Sequence, residues 1–224
     1  MIDPDLLERL RSYDTPTLSN ALGGLTDRSK TEGFTRPPVQ AIFPSMPPMV
    51  GYAVTLTIRS ETPHATTDPA APMAPLYEAV QQIDGPKVVV VQDLDGGAGC
   101  LWGEVNSSIC LALGCEGVVT DGLVRDLPDV EAIGFRYLAA GIGVARAYVE
   151  VVDIGIPVEV GGARFESGDL VHADRHGALI IPADAAPGLP AAAEATIAKE
   201  QRMLDWVRSP EFDPAEIPAR RIQH

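Results

Sequence analysis

The segment GVVTDGLVRD, residues 117–126, ends on two charged side chains that could do chemistry. An apolar run reaches Asp121-Gly122, and after two aliphatic residues the chain presents Arg125 and Asp126 side by side. One interpretation is a turn with a surface ion pair. The other is a site in which the Asp126 carboxylate binds a divalent metal ion and the Arg125 guanidinium binds an anion, because carboxylates suit Mg²⁺ or Mn²⁺ and a guanidinium is a planar donor.

A glycine-rich stretch, DLDGGAGCLWGE at 93–104, follows an apolar run and opens a predicted helix at 101–115. The first N–H groups of a helix have no partner within it and lie at the positive end of its dipole, so they can bind a small carboxylate. Glu104 suits the first turn of a helix even if it has no chemical role. The candidate amides are those of Gly103, Glu104, Val105 and Asn106.

Two other interpretations of the glycines remain open. They are either present for backbone reasons alone, or Gly97, Gly99 and Gly103 form a dinucleotide-binding loop, with Asp121 as the acid that contacts a ribose. Against the dinucleotide site, the motif lies far from the start of the chain, and the sequence after residue 150 is typical of hairpins rather than of βαβ units.

Hydrophobic patterning predicts the elements that position these residues. Alternating or continuous apolar runs predict strands at 51–60, 87–95 and 117–122. Residues 149–182 read as short strands with turns at Gly161-Gly162 and at 167–169, and 30–48 reads as irregular coil. We therefore expect one α/β domain spanning 1–224 with a β-rich second half and a polar tail at 209–224. Further helices are predicted at 3–13, 14–24, 75–83, 127–136 and 183–207.

Composition limits the class of protein. A chain of 224 residues with 46% hydrophobic residues can bury one sizeable core. No apolar stretch approaches the ~20 residues of a membrane span, and the acidic, polar start is unlike a signal peptide, so we expect a cytoplasmic protein. The net charge of −14 argues against nucleic acid as a partner. Cys100, Cys110 and Cys115 match no zinc motif, and we expect buried thiols.

The histidines are weaker candidates. His172 and His176 flank Asp174 in HADRH, but residues four apart on a hairpin do not converge on a metal ion as they would on a helix. Asp174 and Arg175 are predicted to be turn residues. His64 lies in a Pro-rich segment and is expected at the surface. No GxSxG motif supports a serine nucleophile.

The motifs above occur in the same order in a known family. DTPTLSNAL near the N-terminus, MVGYAVTLT, GCLWGE, GVVTDGLVRD and GIPVEVGGARFESGDLVHADRHGALIIP resemble RraA-like proteins over roughly residues 12–205. That family includes the 4-hydroxy-4-methyl-2-oxoglutarate aldolases. The resemblance implies an α-β-β-α sandwich of the swivelling type, assembled as trimers or hexamers with active sites between subunits.

The resemblance also implies a chemistry. It is that of a class II aldolase cleaving a 4-hydroxy-2-oxo acid to pyruvate through an enolate, with oxaloacetate decarboxylation as a side activity. Asp126 would hold Mg²⁺ or Mn²⁺, and Arg125 would bind the carboxylate or the enolate oxygen. The amides at 103–106 would hold the pyruvyl carboxylate, and Glu104 would order a water that carries protons.

One branch of the family acts differently. Its members inhibit an RNA-processing ribonuclease without catalysis and lack the acidic residue after the arginine, so Asp126 favours the lyase. The chain departs from the family at Asn20, where Asp is usual, and in Pro-rich insertions at 36–48 and 61–74, which are candidates for lining the pocket. Glu200 is the candidate for a late acidic residue that a neighbouring subunit contributes.

Overall fold

The fold, taken from a computed structural model, is described for residues 2–63 and 73–222. The two N-terminal helices begin as the sequence predicts. Asp3 accepts a hydrogen bond from the Asp5 amide, and Asp14 accepts one from the Thr17 amide at 2.9 Å, each followed by a proline in the first turn. The α-helices are α1 (Pro4–Arg11), α2 (Thr15–Leu22), α3 (Ala74–Gln82), α4 (Glu104–Ala112), α5 (Leu127–Ile133), α6 (Leu189–Val207) and α7 (Ile217–Ile222).

Thirteen strands within these residues form three sheets. They are β1 (Gln40–Ala41), β2 (Met49–Arg59), β3 (Lys87–Asp93), β4 (Cys100–Trp102), β5 (Cys115–Thr120), β6 (Leu123–Val124), β7 (Arg136–Ala139), β8 (Gly141–Ile142), β9 (Glu150–Ile154), β10 (Val158–Val160), β11 (Ala163–Phe165), β12 (Leu170–Asp174) and β13 (Gly177–Ile181). Seven of them follow residue 135, which confirms the β-rich second half.

The main sheet is eight-stranded and mixed. Its order is β1-β7-β5-β3-β2-β12-β13, with β9 also paired to β2. The strands β2, β3, β5 and β7 run parallel at its centre, and Val54 is in register with Val89. Central parallel strands are covered on both faces, which is why β3 reads as an unbroken apolar run. The mixed α/β class is thus confirmed, with the sheet curved into a nearly closed barrel.

Three apolar clusters fill the fold. One lies between the sheet and α3, α4 and α5, and includes Leu76, Cys110 and Val130. A second places Val158 and Phe165 of the β10–β11 hairpin against the central strands. The third packs α1, α2 and α6 on β12 and β13. All three cysteines are buried and free, as predicted.

Some predicted boundaries are wrong; the helix predicted from residue 183, for example, begins at Leu189. Leu101 and Trp102 belong to strand β4 rather than to the helix, which begins at Glu104. Both side chains are buried in the core, where Trp102 stacks on Phe135 with ring centroids 5.7 Å apart, and this packing outweighs their helical preference. Within the predicted coil, Gln40 and Ala41 pair with β7.

The second half follows the predicted turns. Gly161 and Gly162 have φ of 58° and 74° and connect β10 to β11, a conformation that glycine adopts without strain. The region predicted as a polar tail is partly helical. There Phe212 contacts Trp206 of α6, and the Arg220 guanidinium lies 4.4 Å from the centre of the same ring. None of the helices in the described ranges has the length and apolar character that a membrane crossing needs.

His172 joins the N-terminal helices to the sheet. Its Nε2 donates to the Tyr13 carbonyl at 3.1 Å, so its Nδ1 accepts from the Thr15 hydroxyl at 3.0 Å. Asp174 accepts from the Thr15 amide at 2.9 Å and from the His176 amide at 2.8 Å. HADRH is therefore a structural anchor, and no group of three or more metal-binding side chains occurs in residues 2–63 and 73–222.

The buried histidine predicts a pH-dependent stability. Burial lowers the pKa of His172 from 6.5 to about 4, so the unfolded chain takes up the proton first. Proton uptake by the unfolded chain lowers the free energy of unfolding. The loss is absent above pH 6.5 and grows to about 3 kcal/mol as the pH falls towards 4. Urea unfolding at pH 7 and pH 4.5 measures it.

A pair of variants isolates the effect. We expect His172→Gln to be less stable than the wild type at pH 7 but to lose less stability on acidification. His176→Gln removes an exposed imidazole of the same hairpin whose Nδ1 lies 3.1 Å from Asp174 Oδ1, and it should keep the wild-type pH dependence apart from the contribution of that ion pair. Equal pH dependence in wild type and His172→Gln would contradict the assignment.

Candidate functional site

Three short parallel strands, β4, β6 and β8, form the base of the candidate site. Their ladder continues past their ends, because the Arg125 amide donates to the Trp102 carbonyl at 3.0 Å and the Gly143 amide to the Val124 carbonyl at 2.9 Å. The residues that leave parallel strands at their carboxyl ends meet at one edge of a sheet. Gly103, Arg125 and the segment 143–147 are brought together there.

The Asp126 carboxylate is held by the start of α4. Its Oδ2 accepts a hydrogen bond from the Glu104 amide at 3.0 Å and lies 3.9 Å from Arg125 Nε. Both charged side chains are 37% exposed, so the pair is partly accessible to solvent. Asp126 itself has φ of 58°, a left-handed conformation that is uncommon outside glycine.

Gly103 makes this close approach possible. A Cβ atom at residue 103 would lie 2.4 Å from Asp126 Oδ2 and 3.2 Å from Arg125 Nε. The backbone there is extended, with φ of −150°, so space rather than conformation demands the glycine.

Arg125 carries a donor without an acceptor. Its Nε is buried and has no hydrogen-bond partner among the residues described. A buried donor left unpaired costs about 1–3 kcal/mol. An anion bound in front of the guanidinium would recover that energy.

These groups line a cleft of about 400 Å³. Its polar wall contains Arg125, Asp126, Asn106 and Arg146. The Asn106 amide group donates to the Leu101 carbonyl at 2.7 Å and accepts from the Tyr77 hydroxyl at 3.4 Å, so this side chain is tied to its neighbours. The other wall is mainly apolar and consists of Met73, Tyr77, Leu101, Val105 and Ile109.

The cleft contains the residues predicted for the site, with the exception of Glu104. Gly103, Val105, Asn106, Arg125 and Asp126 all line it. The Glu104 amide, however, binds the Asp126 carboxylate and is not available to a ligand, and the Glu104 side chain is exposed without lining the cleft.

Of the remaining candidates, one segment reaches the cleft. Glu200 is exposed on α6, and no residue of 36–48 lines the cleft. Met73, at the end of the second Pro-rich insertion, does line it, whereas His64 lies outside the described residues. Sequence reasoning missed Tyr77 and Arg146, because neither belongs to a motif and only the chain topology brings them to this edge.

The glycine loop packs against the chain itself. A Cβ at Gly99 would lie 2.4 Å from the Arg146 carbonyl oxygen, so this glycine serves a close backbone contact. Asp121 accepts a hydrogen bond from the Asp93 amide at 2.7 Å, and burial raises its pKa to about 6. The loop also leads into β4 instead of directly into a helix. Each observation counts against a dinucleotide site.

Comparison with known proteins identifies the family of the chain. The family profile "RraA-like: Aldolase/RraA" matches residues 15–180. A protein of Halalkalibacterium halodurans, named "Putative 4-hydroxy-4-methyl-2-oxoglutarate aldolase", is 28% identical over 180 residues, which cover 80% of this chain and 77% of that protein.

Two solved structures share the fold. An uncharacterized protein from Pseudomonas syringae pv. tomato has a TM-score of 0.76 at 22% identity and covers 100% of this chain and 95% of its own. Streptomyces coelicolor RraAS2, described as an unusual member of the RNase ES inhibitor RraA protein family, has a TM-score of 0.71 at 24% identity. The match covers 91% of this chain and 98% of RraAS2. The matched motifs, the fold and the profile agree, and the chain belongs to the RraA-like family.

Proposed function

We propose that this chain is a divalent-metal-dependent carbon–carbon lyase. It cleaves a 4-hydroxy-2-oxo acid, such as 4-hydroxy-4-methyl-2-oxoglutarate, to pyruvate and a second carbonyl compound, and it also decarboxylates oxaloacetate. The observation that carries the proposal is the Arg125–Asp126 pair, fixed against the start of α4 at the edge of an open cleft. The name of the Halalkalibacterium halodurans relative supports the substrate class.

The residues present fit a hard divalent cation. Asp126 has one oxygen, Oδ2, engaged by the Glu104 amide, and no described residue donates to its Oδ1. Mg²⁺ or Mn²⁺ is commonly bound through one or two carboxylates, with water and substrate oxygens completing the shell. When bound, the ion would supply Lewis-acid polarisation of the 2-oxo group.

Arg125 stabilises the charge that develops on the substrate. Breaking the C3–C4 bond of a 4-hydroxy-2-oxo acid leaves an enolate on the pyruvyl fragment, and the same enolate follows loss of CO₂ from oxaloacetate. The orphaned Arg125 Nε is a fixed donor beside the position of this negative charge. A preorganised donor of this kind contributes roughly 3–4 kcal/mol to the transition state.

The start of α4 orients the substrate carboxylate. With the Glu104 amide engaged by Asp126, the amides of Val105 and Asn106 are the first-turn donors that can face the cleft. Glu104 is proposed to act through water, carrying the proton between the C4 hydroxyl, the enolate carbon and solvent.

A homotrimer or homohexamer with sites between subunits is part of the proposal. Next to the cleft, the chain from the end of β8 onward exposes apolar side chains, with Ile142 60%, Val144 93% and Tyr148 51% accessible. Exposed apolar surface beside a polar site is typical of an interface. A neighbouring subunit that covers it would complete the cleft, and Glu200 is the proposed contribution from that subunit.

The proposal is tested by pyruvate release from oxaloacetate, with and without Mg²⁺ or Mn²⁺, corrected for decarboxylation by the metal alone. We expect Asp126→Ala to abolish the metal-dependent rate and Arg125→Ala to reduce it by about 10²–10³. Asp129→Ala is the matched control, because Asp129 is an exposed carboxylate in the first turn of α5.

Two results would contradict it. Full activity in Asp126→Ala would show that Asp126 is not the metal ligand. Absence of wild-type turnover above the metal blank would instead favour a non-catalytic regulator, which pull-down of an RNA-processing enzyme would detect.

Gly103→Ala tests the geometry without removing any charge. The added Cβ must displace the Asp126 carboxylate or the Arg125 guanidinium. A shift near 1 Å costs on the order of 10²-fold in rate. Gly24→Ala is the control, since a Cβ there meets only the Ala21 carbonyl at 3.8 Å. A fully active Gly103→Ala enzyme would show that the site tolerates displacement of the pair.

A further inference from the structure

Two helices form most of the apolar wall of the cleft. Met73 and Tyr77 lie one turn apart at the start of α3, where the Tyr77 amide donates to the Met73 carbonyl at 3.2 Å. Val105 and Ile109 lie one turn apart on α4. Side chains four residues apart share one face of a helix, so each helix turns a pair towards the cleft. With the buried Leu101, these four residues form what we call the apolar slot.

The polar groups that border the slot are already engaged. The Tyr77 hydroxyl donates to Asn106 Oδ1 at 3.4 Å, and Asn106 Nδ2 donates to the Leu101 carbonyl at 2.7 Å. Arg146, the second guanidinium of the cleft, also has an interaction of its own within the protein. A carboxylate placed in the slot would lose its hydration and gain little in return, which is costly for a charged group.

The slot and the charged pair belong to one cleft. Val105 is 69% exposed and Ile109 is half-buried, so a ligand that covers them removes apolar surface from water. The cleft volume of about 400 Å³ is that of a small-molecule site, and such sites are mainly apolar with a few polar groups that fix orientation. The molecule that fits has a charged end at Arg125 and Asp126 and an apolar end in the slot.

We propose that the slot binds the substituent on C4 of the substrate, and that the site prefers 4-hydroxy-2-oxo acids in which this substituent is an alkyl or aryl group. The inference rests on the proposed function, since it assumes that the 2-oxo acid end lies at Arg125 and Asp126. The C4 methyl group of 4-hydroxy-4-methyl-2-oxoglutarate is the smallest substituent of this kind. A larger one would cover more of Val105 and Ile109 and be stabilised further.

Binding of two unreactive ligands of similar shape tests the inference. 2-Oxoglutarate ends in a carboxylate, and 5-methyl-2-oxohexanoate has an isopropyl group in place of that carboxylate. Neither has a C4 hydroxyl, so neither can undergo the aldol cleavage, and calorimetry with Mg²⁺ present gives both affinities. We expect the wild-type chain to bind 5-methyl-2-oxohexanoate about 10-fold more tightly, because a branched alkyl group gains on leaving water and a carboxylate loses.

Variants of α4 then assign the preference to the slot. Ile109→Asn should weaken binding of 5-methyl-2-oxohexanoate about 10-fold without weakening that of 2-oxoglutarate. Ile109→Val, which stays apolar, should keep most of the preference. Leu111→Asn is the matched control, because it makes a similar exchange at an exposed residue of the same helix outside the cleft. Val105→Thr, at a position exposed enough to tolerate the hydroxyl, repeats the test if Ile109→Asn does not fold, with an expected loss of about 3-fold.

Three outcomes would overturn the inference. The first is a wild-type chain that binds the two ligands equally or prefers 2-oxoglutarate. The second is a preference that survives in both Ile109→Asn and Val105→Thr. The third is an Ile109→Asn variant that keeps the preference but changes its oligomeric state on size-exclusion chromatography, which would show that a second copy of the chain covers the slot.

Turnover of oxaloacetate separates this inference from the proposed function. A chain that decarboxylates oxaloacetate but shows no preference for the alkyl ligand contradicts the slot assignment alone. A chain that neither turns over oxaloacetate nor binds either ligand contradicts the lyase proposal, and the slot assignment with it.

Discussion

The hydrogen bond from the Glu104 amide to the Asp126 carboxylate is the contact on which the site depends. It joins the start of α4 to the left-handed residue that precedes α5, two points that the chain reaches along separate strands. The contact requires Gly103 and brings Arg125 alongside. A helix N-terminus that would otherwise attract any anion is thereby partly neutralised by the chain itself. The groups that stay available to a ligand are Asp126 Oδ1, the Arg125 guanidinium, and the amides of Val105 and Asn106.

Much of this could be predicted from the sequence. The sequence predicts a site at Arg125 and Asp126 because two charges end an apolar run. It predicts an anion site near the start of α4 because a glycine-rich stretch precedes a helix there. The strands β3 and β5 follow directly from runs of valine, and α1 and α2 from their capping aspartates and prolines. These are local signals, each contained within a few residues of the element it specifies.

The rest depends on contacts between distant parts of the chain. Leu101 and Trp102 have a helical pattern, but the burial of Trp102 against Phe135 places them in β4. Arg146 carries no local signal at all, since only the ladder from β4 through β6 to β8 brings it to the cleft. Likewise, the structural role of His172 depends on Tyr13 and Thr15, which lie far from it in the sequence and beside it in the fold.

Two parts of the chain supply the charged side chains of the cleft. Gly103, Arg125 and Asp126 are held by the ladder and by the start of α4, where little can change without displacing a charge. Residues 143–147 form a single crossing segment that joins this framework through two backbone hydrogen bonds, from the Gly143 amide to the Val124 carbonyl and from the Cys100 amide to the Ala145 carbonyl, and by packing on Gly99. Substitutions of outward-facing side chains in the crossing segment can therefore change the surroundings of Arg125 and Asp126 and leave the pair itself in place. Such an arrangement would let related chains diverge in the molecules they accept while keeping the same arginine–aspartate pair.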